Sequence, residues 1–245
     1  MKLKNPFMDL TKFEWILWIC SVIIVAGSFL MFSSEDILTL IASLIGVTAL
    51  IFVAKGYVAG QILTVAFAVF YGIISFYFRY YGEMITYLGM TAPIALMAVI
   101  SWLKHPFADT KEVAVNRLVK SQVFVMLIAT VLVTLGFYFI LKALGNANLT
   151  VSTISVNTSF LASYLTFLRS PYYALAYAAN DIVLIVLWIL ATMESFSYLP
   201  MVICFIMFFI NDFYGFFNWR RMQKRQASAA AIAVANQTAP SQITV

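Results

Sequence analysis

The sequence predicts an all-α integral membrane protein of about eight transmembrane helices, and three observations carry that expectation. The 245 residues are 63% hydrophobic and only 10% charged, with a mean hydropathy of +0.95. A soluble domain carries roughly 25% charged residues and about half apolar ones, so lipid must be the solvent for most of this chain. Eight stretches, 14–32, 37–54, 57–78, 81–102, 118–143, 154–168, 172–191 and 197–219, reach or approach the length a spanning helix needs, about 20 apolar residues. With eight spans and a cytoplasmic N-terminus, thirteen of the fifteen Lys and Arg residues fall on the inner side, leaving Arg79 and Lys142 outside. That bias follows the positive-inside rule. Dropping any one helix scrambles it, so both termini are expected in the cytoplasm.

Each element has its own signal. The first apolar run, within the N-terminal unit 1–36, lacks a small-residue cleavage pattern after it and reads as a retained accessory anchor. Ser33-Ser34-Glu35-Asp36, Lys55-Gly56, Arg79 to Glu83 and Arg169-Ser170-Pro171 are the polar breaks between spans. Residues 103–117 form the one substantial loop, carrying Lys104, His105, Asp109, Lys111, Glu112 and Arg117. The sixth span is the shortest and most polar, with Asn157, Thr158, Ser159 and Ser163. Residues 223–245 are rich in Ala, Ser, Gln and Thr, and are expected to be a disordered tail.

The chain also echoes itself. Lys55-Gly56-Tyr57 opens one unit and Arg169-Ser170-Pro171-Tyr172 another; Trp102-Leu103-Lys104 closes the first and Trp219-Arg220-Arg221 the second. Extended back by one helix, the units become triplets 37–102 and 154–219, joined by a cytoplasmic loop and linking helix in 103–153. A single linking helix restores the second triplet to the orientation of the first, giving parallel repeats. That helix is expected to sit between the triplets.

Ionisable residues inside a span are costly and usually face a cavity. Asp181, beside Asn180, and Asp212, beside Asn211, lie on adjacent antiparallel spans at similar depth and point to one polar pocket near the midplane. Tyr177 and Trp188 share the helical face of Asp181. Gln122 lies near the inner end of the linking helix, and Gln61 and Thr64 are the first unit's rough counterparts. Pro93 lies mid-span, where its missing amide hydrogen can make a hinge. Gly56 and Gly60 form a small-xxx-small pair suited to close helix packing. Function classes fall away with equal economy. His105 is the only histidine, Cys20 and Cys204 are isolated in apolar runs, and there is no glycine-rich phosphate loop. These features leave no metal site, no cofactor and no enzymatic apparatus. The basic residues lie in loops rather than on a nucleic-acid face.

The triplet-linker-triplet layout resembles the PnuC family of bacterial nicotinamide riboside transporters over roughly 37–222. So do the turn Arg169-Ser-Pro-Tyr-Tyr leading to Asn180 and Trp188, and the closing string Asn211-Asp-Phe-Tyr214-Gly215-Phe-Phe-Asn-Trp219. The resemblance implies facilitated diffusion of a vitamin B3 nucleoside across the bacterial inner membrane, a homotrimer set in membrane lipid, and no enzymatic activity. It further implies a substrate site in which Trp188 and Tyr177 stack the nicotinamide ring. Asn180, Asn211 and Gln122 would bond the carboxamide and ribose, and Asp181 or Asp212 would balance the ring's charge. Tyr173, Tyr177 and Thr64 depart from the family's usual Trp, Trp and Asn, which leaves thiamine or riboflavin as alternative solutes. A non-transporting scaffold subunit is the other alternative.

Overall fold

The computed structural model describes residues 6–32, 36–77, 81–146 and 148–238. Lys2, Lys4, the Ser33-Ser34-Glu35 break and Arg79 therefore lie outside the described residues. The described chain forms α1 (Lys12–Phe32), α2 (Ile37–Ala54), α3 (Val58–Tyr77), α4 (Tyr81–Thr86), a π turn (Tyr87–Thr91), α5 (Ala92–Lys104), α6 (Lys120–Ala143), α7 (Leu149–Phe167), α8 (Tyr173–Glu194) and α9 (Leu199–Thr238). Since α4, the π turn and α5 are continuous, these are eight helical segments at the eight predicted positions. Six are long and apolar enough to cross a membrane, and α3 is apolar over the shorter stretch Val58–Ile73. The polar segment α7 satisfies its hydroxyls partly on its own backbone. Thr153 Oγ1 donates to Leu149 O at 2.7 Å and Thr166 Oγ1 to Ala162 O at 2.8 Å.

The accessory helix α1 is fastened to α2 and α9 by polar contacts. Trp18 Nε1 donates to Thr48 Oγ1 at 3.2 Å, and Lys55 Nζ pairs with Glu14 at 2.9 Å. Next to that pair, α2 and α3 approach so closely that a Cβ on Gly60 would sit 2.4 Å from Val53 N. Of the small-residue pair, Gly60 does the helix packing, while Gly56 serves the turn between the two helices. Gly60→Ala is expected to cost about 1–3 kcal/mol by overpacking, read as a lower melting temperature in detergent. An unchanged melting temperature would show that α2 and α3 can separate freely.

At the face bearing loop 105–119, the two halves hold each other by matched bonds. Helix α2 ends with Gly56 in the left-handed region (φ +69) and α7 ends with Arg169 at φ +59. Both turns close the same way: Gly56 N to Val53 O and Arg169 N to Thr166 O at 2.9 Å, then Tyr57 N to Phe52 O and Ser170 N to Leu165 O at 3.0 Å. These are Schellman ends, whose turn amides satisfy two carbonyls each, leaving Ala54 O and Phe167 O in need of donors and Val53 O and Thr166 O able to accept a second. The other half supplies the donors. Trp219 Nε1 reaches Val53 O at 2.8 Å and Asn218 Nδ2 reaches Ala54 O at 2.9 Å. Reciprocally, Trp102 Nε1 reaches Thr166 O at 3.0 Å and Ser101 Oγ reaches Phe167 O at 3.1 Å. Loop 105–119 straps both turns through Val113 N to Gly56 O (2.9 Å) and Asn116 N to Arg169 O (3.0 Å). Gly56 therefore matches Arg169, one residue off the sequence pairing of Lys55 with Arg169.

Two expectations are corrected. The stretch read as a disordered tail from 223 continues α9 as far as Thr238. The Ala, Ser, Gln and Thr content argued for disorder, but alanine is the best helix former, and the buried Gln226 side chain anchors this extension to the loop. Its Nε2 donates to Val113 O at 3.0 Å and its Oε1 accepts from Val115 N at 2.8 Å. The linking helix α6 packs on α7 rather than between the triplets, with Phe124, Leu127, Leu132, Leu135 and Phe139 left exposed. Its span is largely apolar, which suits lipid, and its polar contact with α7 is the bond from Asn157 Nδ2 to Thr134 Oγ1 at 2.9 Å.

Candidate functional site

A cavity of about 370 Å³ opens on the face opposite loop 105–119. Its rim is set by helix ends: Tyr81 at the start of α4, Asn146 and Asn148 after α6, Glu194 at the end of α8, and Tyr198 before α9. From Glu194 down to Asn180 the lining follows α8 for 14 residues, about 21 Å at 1.5 Å per residue. Asn180 thus lies deep within the membrane-spanning part of the fold.

The cavity's chemistry comes from both halves. At the floor, Asn180 Oδ1 accepts from Thr158 Oγ1 at 2.8 Å and Ser155 Oγ at 3.3 Å, both on α7. Those bonds occupy the amide oxygen and leave the amide nitrogen to donate into the cavity. Two aromatic pairs line the walls: Tyr71 with Tyr87 (centroids 4.6 Å apart) and Trp188 with Tyr198 (5.8 Å). Glu83 is held by the hydroxyls of Tyr71 and Ser75, while its buried Oε2 has no hydrogen-bond partner. With Glu194 at the rim, the described lining contains two acids and no Lys or Arg. Such a site takes a flat, hydrogen-bonding solute and favours a positive charge on it.

Of the residues singled out from the sequence, Asn180 and Trp188 line this cavity. Asp181 and Asp212 do meet, buried at 3% and 4% exposure, but behind the floor. Tyr177 lies one turn further from the rim, its hydroxyl 3.0 Å from Ser163 Oγ. Asn211 turns instead to α1, donating to Ser21 Oγ at 2.9 Å, and Tyr214 donates to Glu14 at 2.8 Å. Successive helical residues point about 100° apart, so an Asn-Asp pair cannot present both members to one pocket. Gln122 sits at the opposite face, where its Oε1 accepts from Val119 N at 3.2 Å and caps α6. Gln61 is buried outside the cavity, and Thr64 bonds its own backbone at Gly60 O (3.0 Å).

Pro93 follows directly on the π turn, in which Ala92 N bonds Tyr87 O, five residues back. The wide turn absorbs the proline and carries Tyr87 on the cavity wall, a placement common at functional sites. Sequence reasoning missed the first half's share: Tyr71, Glu83 and Tyr87, along with the α7 hydroxyls. In the sequence, Glu83 falls in the polar break from Arg79 to Glu83 and reads as a loop acid. The signal in hand was the acid one turn into a span.

A family model described as nicotinamide mononucleotide transporter matches residues 36–221. The nicotinamide riboside transporter PnuC of Neisseria mucosa is 27% identical over 229 residues, spanning 91% of this chain and 87% of that protein. The protein of the same name from Haemophilus influenzae is 22% identical over 227 residues, spanning 91% and 97%. A crystal structure of the vitamin B3 transporter PnuC matches with a TM-score of 0.76 at 27% identity, covering 89% of this chain and 94% of that one.

Proposed function

This chain belongs to the nicotinamide mononucleotide transporter family, and we propose that it carries nicotinamide riboside across the bacterial inner membrane by facilitated diffusion. The observation that carries the choice of solute is the charge of the cavity. Nicotinamide riboside pairs a cationic ring and a carboxamide with a neutral ribose. Glu83 and the two aromatic pairs suit the ring, and the Asn180 amide suits the carboxamide. A mononucleotide adds a phosphate, which needs cationic partners, and the described lining offers none.

In this reading the substrate enters at the rim, stacks beside Trp188 and bonds Asn180. The buried groups below the floor, Asp181, Asp212 and Tyr177, form the polar inner half of its route. Release then requires the Trp102 and Trp219 bonds at the basic face to part while the rim closes. We infer that helices 37–102 and 154–219 act as parallel repeats rocking about the π turn and Pro93. The reciprocal Schellman and tryptophan contacts support that symmetry. The basic-residue bias supports a cytoplasmic placement for the Trp102–Trp219 face and for both termini. A homotrimer is the assembly the family resemblance implies.

Calorimetry on the purified protein tests the solute. The riboside is expected to bind at least about tenfold more tightly than the mononucleotide, a difference of roughly 1.4 kcal/mol. Equal affinity for the two would overturn the charge argument. Tight binding of thiamine or riboflavin instead would move the substrate while keeping the transporter.

A further inference from the structure

A second concave site lies on the basic face, separate from the transport cavity and independent of which solute passes. It is a groove of about 580 Å³ between the 116–118 strap, the turn after α7 and the part of α9 around Arg220. Arg117, Arg220 and Lys224 line it, and its lining contains no acid. Three other cations of the basic face are neutralised: Lys55 by Glu14, Lys111 by Asp9 and Arg225 by Glu112. The three in the groove have no carboxylate partner among the described residues. Arg220 is nonetheless held in position, with Nη1 donating to Gln223 Oε1 at 2.9 Å and its guanidinium 5.8 Å from the Tyr172 ring centroid. Three unneutralised cations around a concavity are what a phosphate requires.

Depth decides which phosphate. Arg220 lies 21 residues along α9 from Leu199, about 31 Å at 1.5 Å per residue, which is the thickness of the hydrocarbon core. The groove therefore sits at headgroup level. Its border is apolar, since Leu118, Pro171 and Tyr172 belong to it, Tyr172 is 46% exposed and the adjoining Val119 is 54% exposed. We propose that this groove binds the phosphodiester headgroup of an anionic glycerophospholipid in the inner-face leaflet, with its acyl chains running past Tyr172 and Val119.

Native mass spectrometry and thermal unfolding of the full chain in neutral detergent, titrated with phosphatidylglycerol or phosphatidylcholine, test this. Phosphatidylglycerol is expected to bind about tenfold or more tightly and to raise the melting temperature. The combined variant Arg117→Gln, Arg220→Gln, Lys224→Gln should lose that preference while keeping its lipid-free melting temperature. If that variant is unstable, Arg220→Gln alone should weaken binding severalfold. A control that removes equal charge elsewhere, Lys12→Gln, Lys104→Gln, Lys142→Gln, should retain the preference. Equal losses in both triple variants would reduce the effect to net charge and overturn the site. Full displacement of phosphatidylglycerol by millimolar inorganic phosphate would overturn the lipid assignment in favour of a soluble phosphate.

Discussion

Replacing Trp102 and Trp219 together by Phe is expected to shift the protein about 30-fold away from its closed basic face. The figure follows from two lost indole donors at about 1 kcal/mol each, with roughly 1.4 kcal/mol per factor of ten. Both indoles are buried, at 1% and 0% exposure, and their rings stand 5.4 Å apart. Phenylalanine keeps most of the aromatic packing but leaves Val53 O and Thr166 O without the donors supplied by the opposite half. Although the turn amides of Gly56 and Arg169 still reach the two carbonyls, the closed arrangement is penalised by the loss of those second bonds. An arrangement that admits water to the face is not.

Accessibility reads the shift directly. In a background where Cys20 and Cys204 are replaced by Ala, an Ala174→Cys probe lies beside this cluster, at a position that is fully buried. Thiol labelling of the probe should be slow with both tryptophans present and faster by about the same factor in the double Phe variant. Uptake should change as well, since a transporter biased to one face turns over slowly. Labelling that stays slow in a correctly folded double variant would mean that the face opens elsewhere. Trp219→Ala would be less informative, because truncating a buried Trp costs about 3–5 kcal/mol of stability outright.

Much of this architecture is legible from residues alone, for physical reasons particular to each element. Lipid leaves a strong signal, since every spanning segment must be apolar over a fixed length, and α2 begins and ends where the sequence places it, at 37 and 54. The turn Lys55-Gly56 is legible because glycine alone adopts the left-handed backbone there without strain. Its counterpart is legible as a polar break at Arg169-Ser170-Pro171, but the left-handed backbone at Arg169 is hidden, because an arginine at positive φ announces nothing in a sequence. The orientation of a polar residue around its helix is equally hidden. Asn211 and Asp212 read as one polar unit, yet the first serves α1 and the second meets Asp181. Contacts with α1 decided this, and α1 lies outside the repeat that guided the reading. The cavity itself was half legible. Asn180 and Trp188 stood out as polar and aromatic groups in mid-span, whereas Glu83 lay close enough to a helix end to pass for a loop residue.

Trp188→Ala is expected to weaken riboside binding about 10- to 100-fold. The loss combines stacking, about 0.5–1.5 kcal/mol beyond area burial, with a cation–π contribution of about 0.5–2 kcal/mol for a charged ring. A loss of that size alone could reflect a collapsed wall, because Trp188 also packs on Tyr198. Glu83→Gln separates chemistry from collapse. Glutamine keeps the size and the hydrogen-bonding capacity toward Tyr71 and Ser75 but cannot carry a negative charge. Affinity for the cationic riboside should fall about tenfold, while affinity for the neutral dihydro form of the same nucleoside should stay unchanged. The two forms differ in ring charge and share carboxamide and ribose, so the ratio of their affinities isolates the electrostatic part. Trp188→Ala should lower both, the cationic form more. If Glu83→Gln weakened both forms equally, Glu83 would be a structural acid and the cavity's preference for a cation would have to arise elsewhere. If it weakened neither, the floor at Asn180 would carry recognition without help from the first half of the chain.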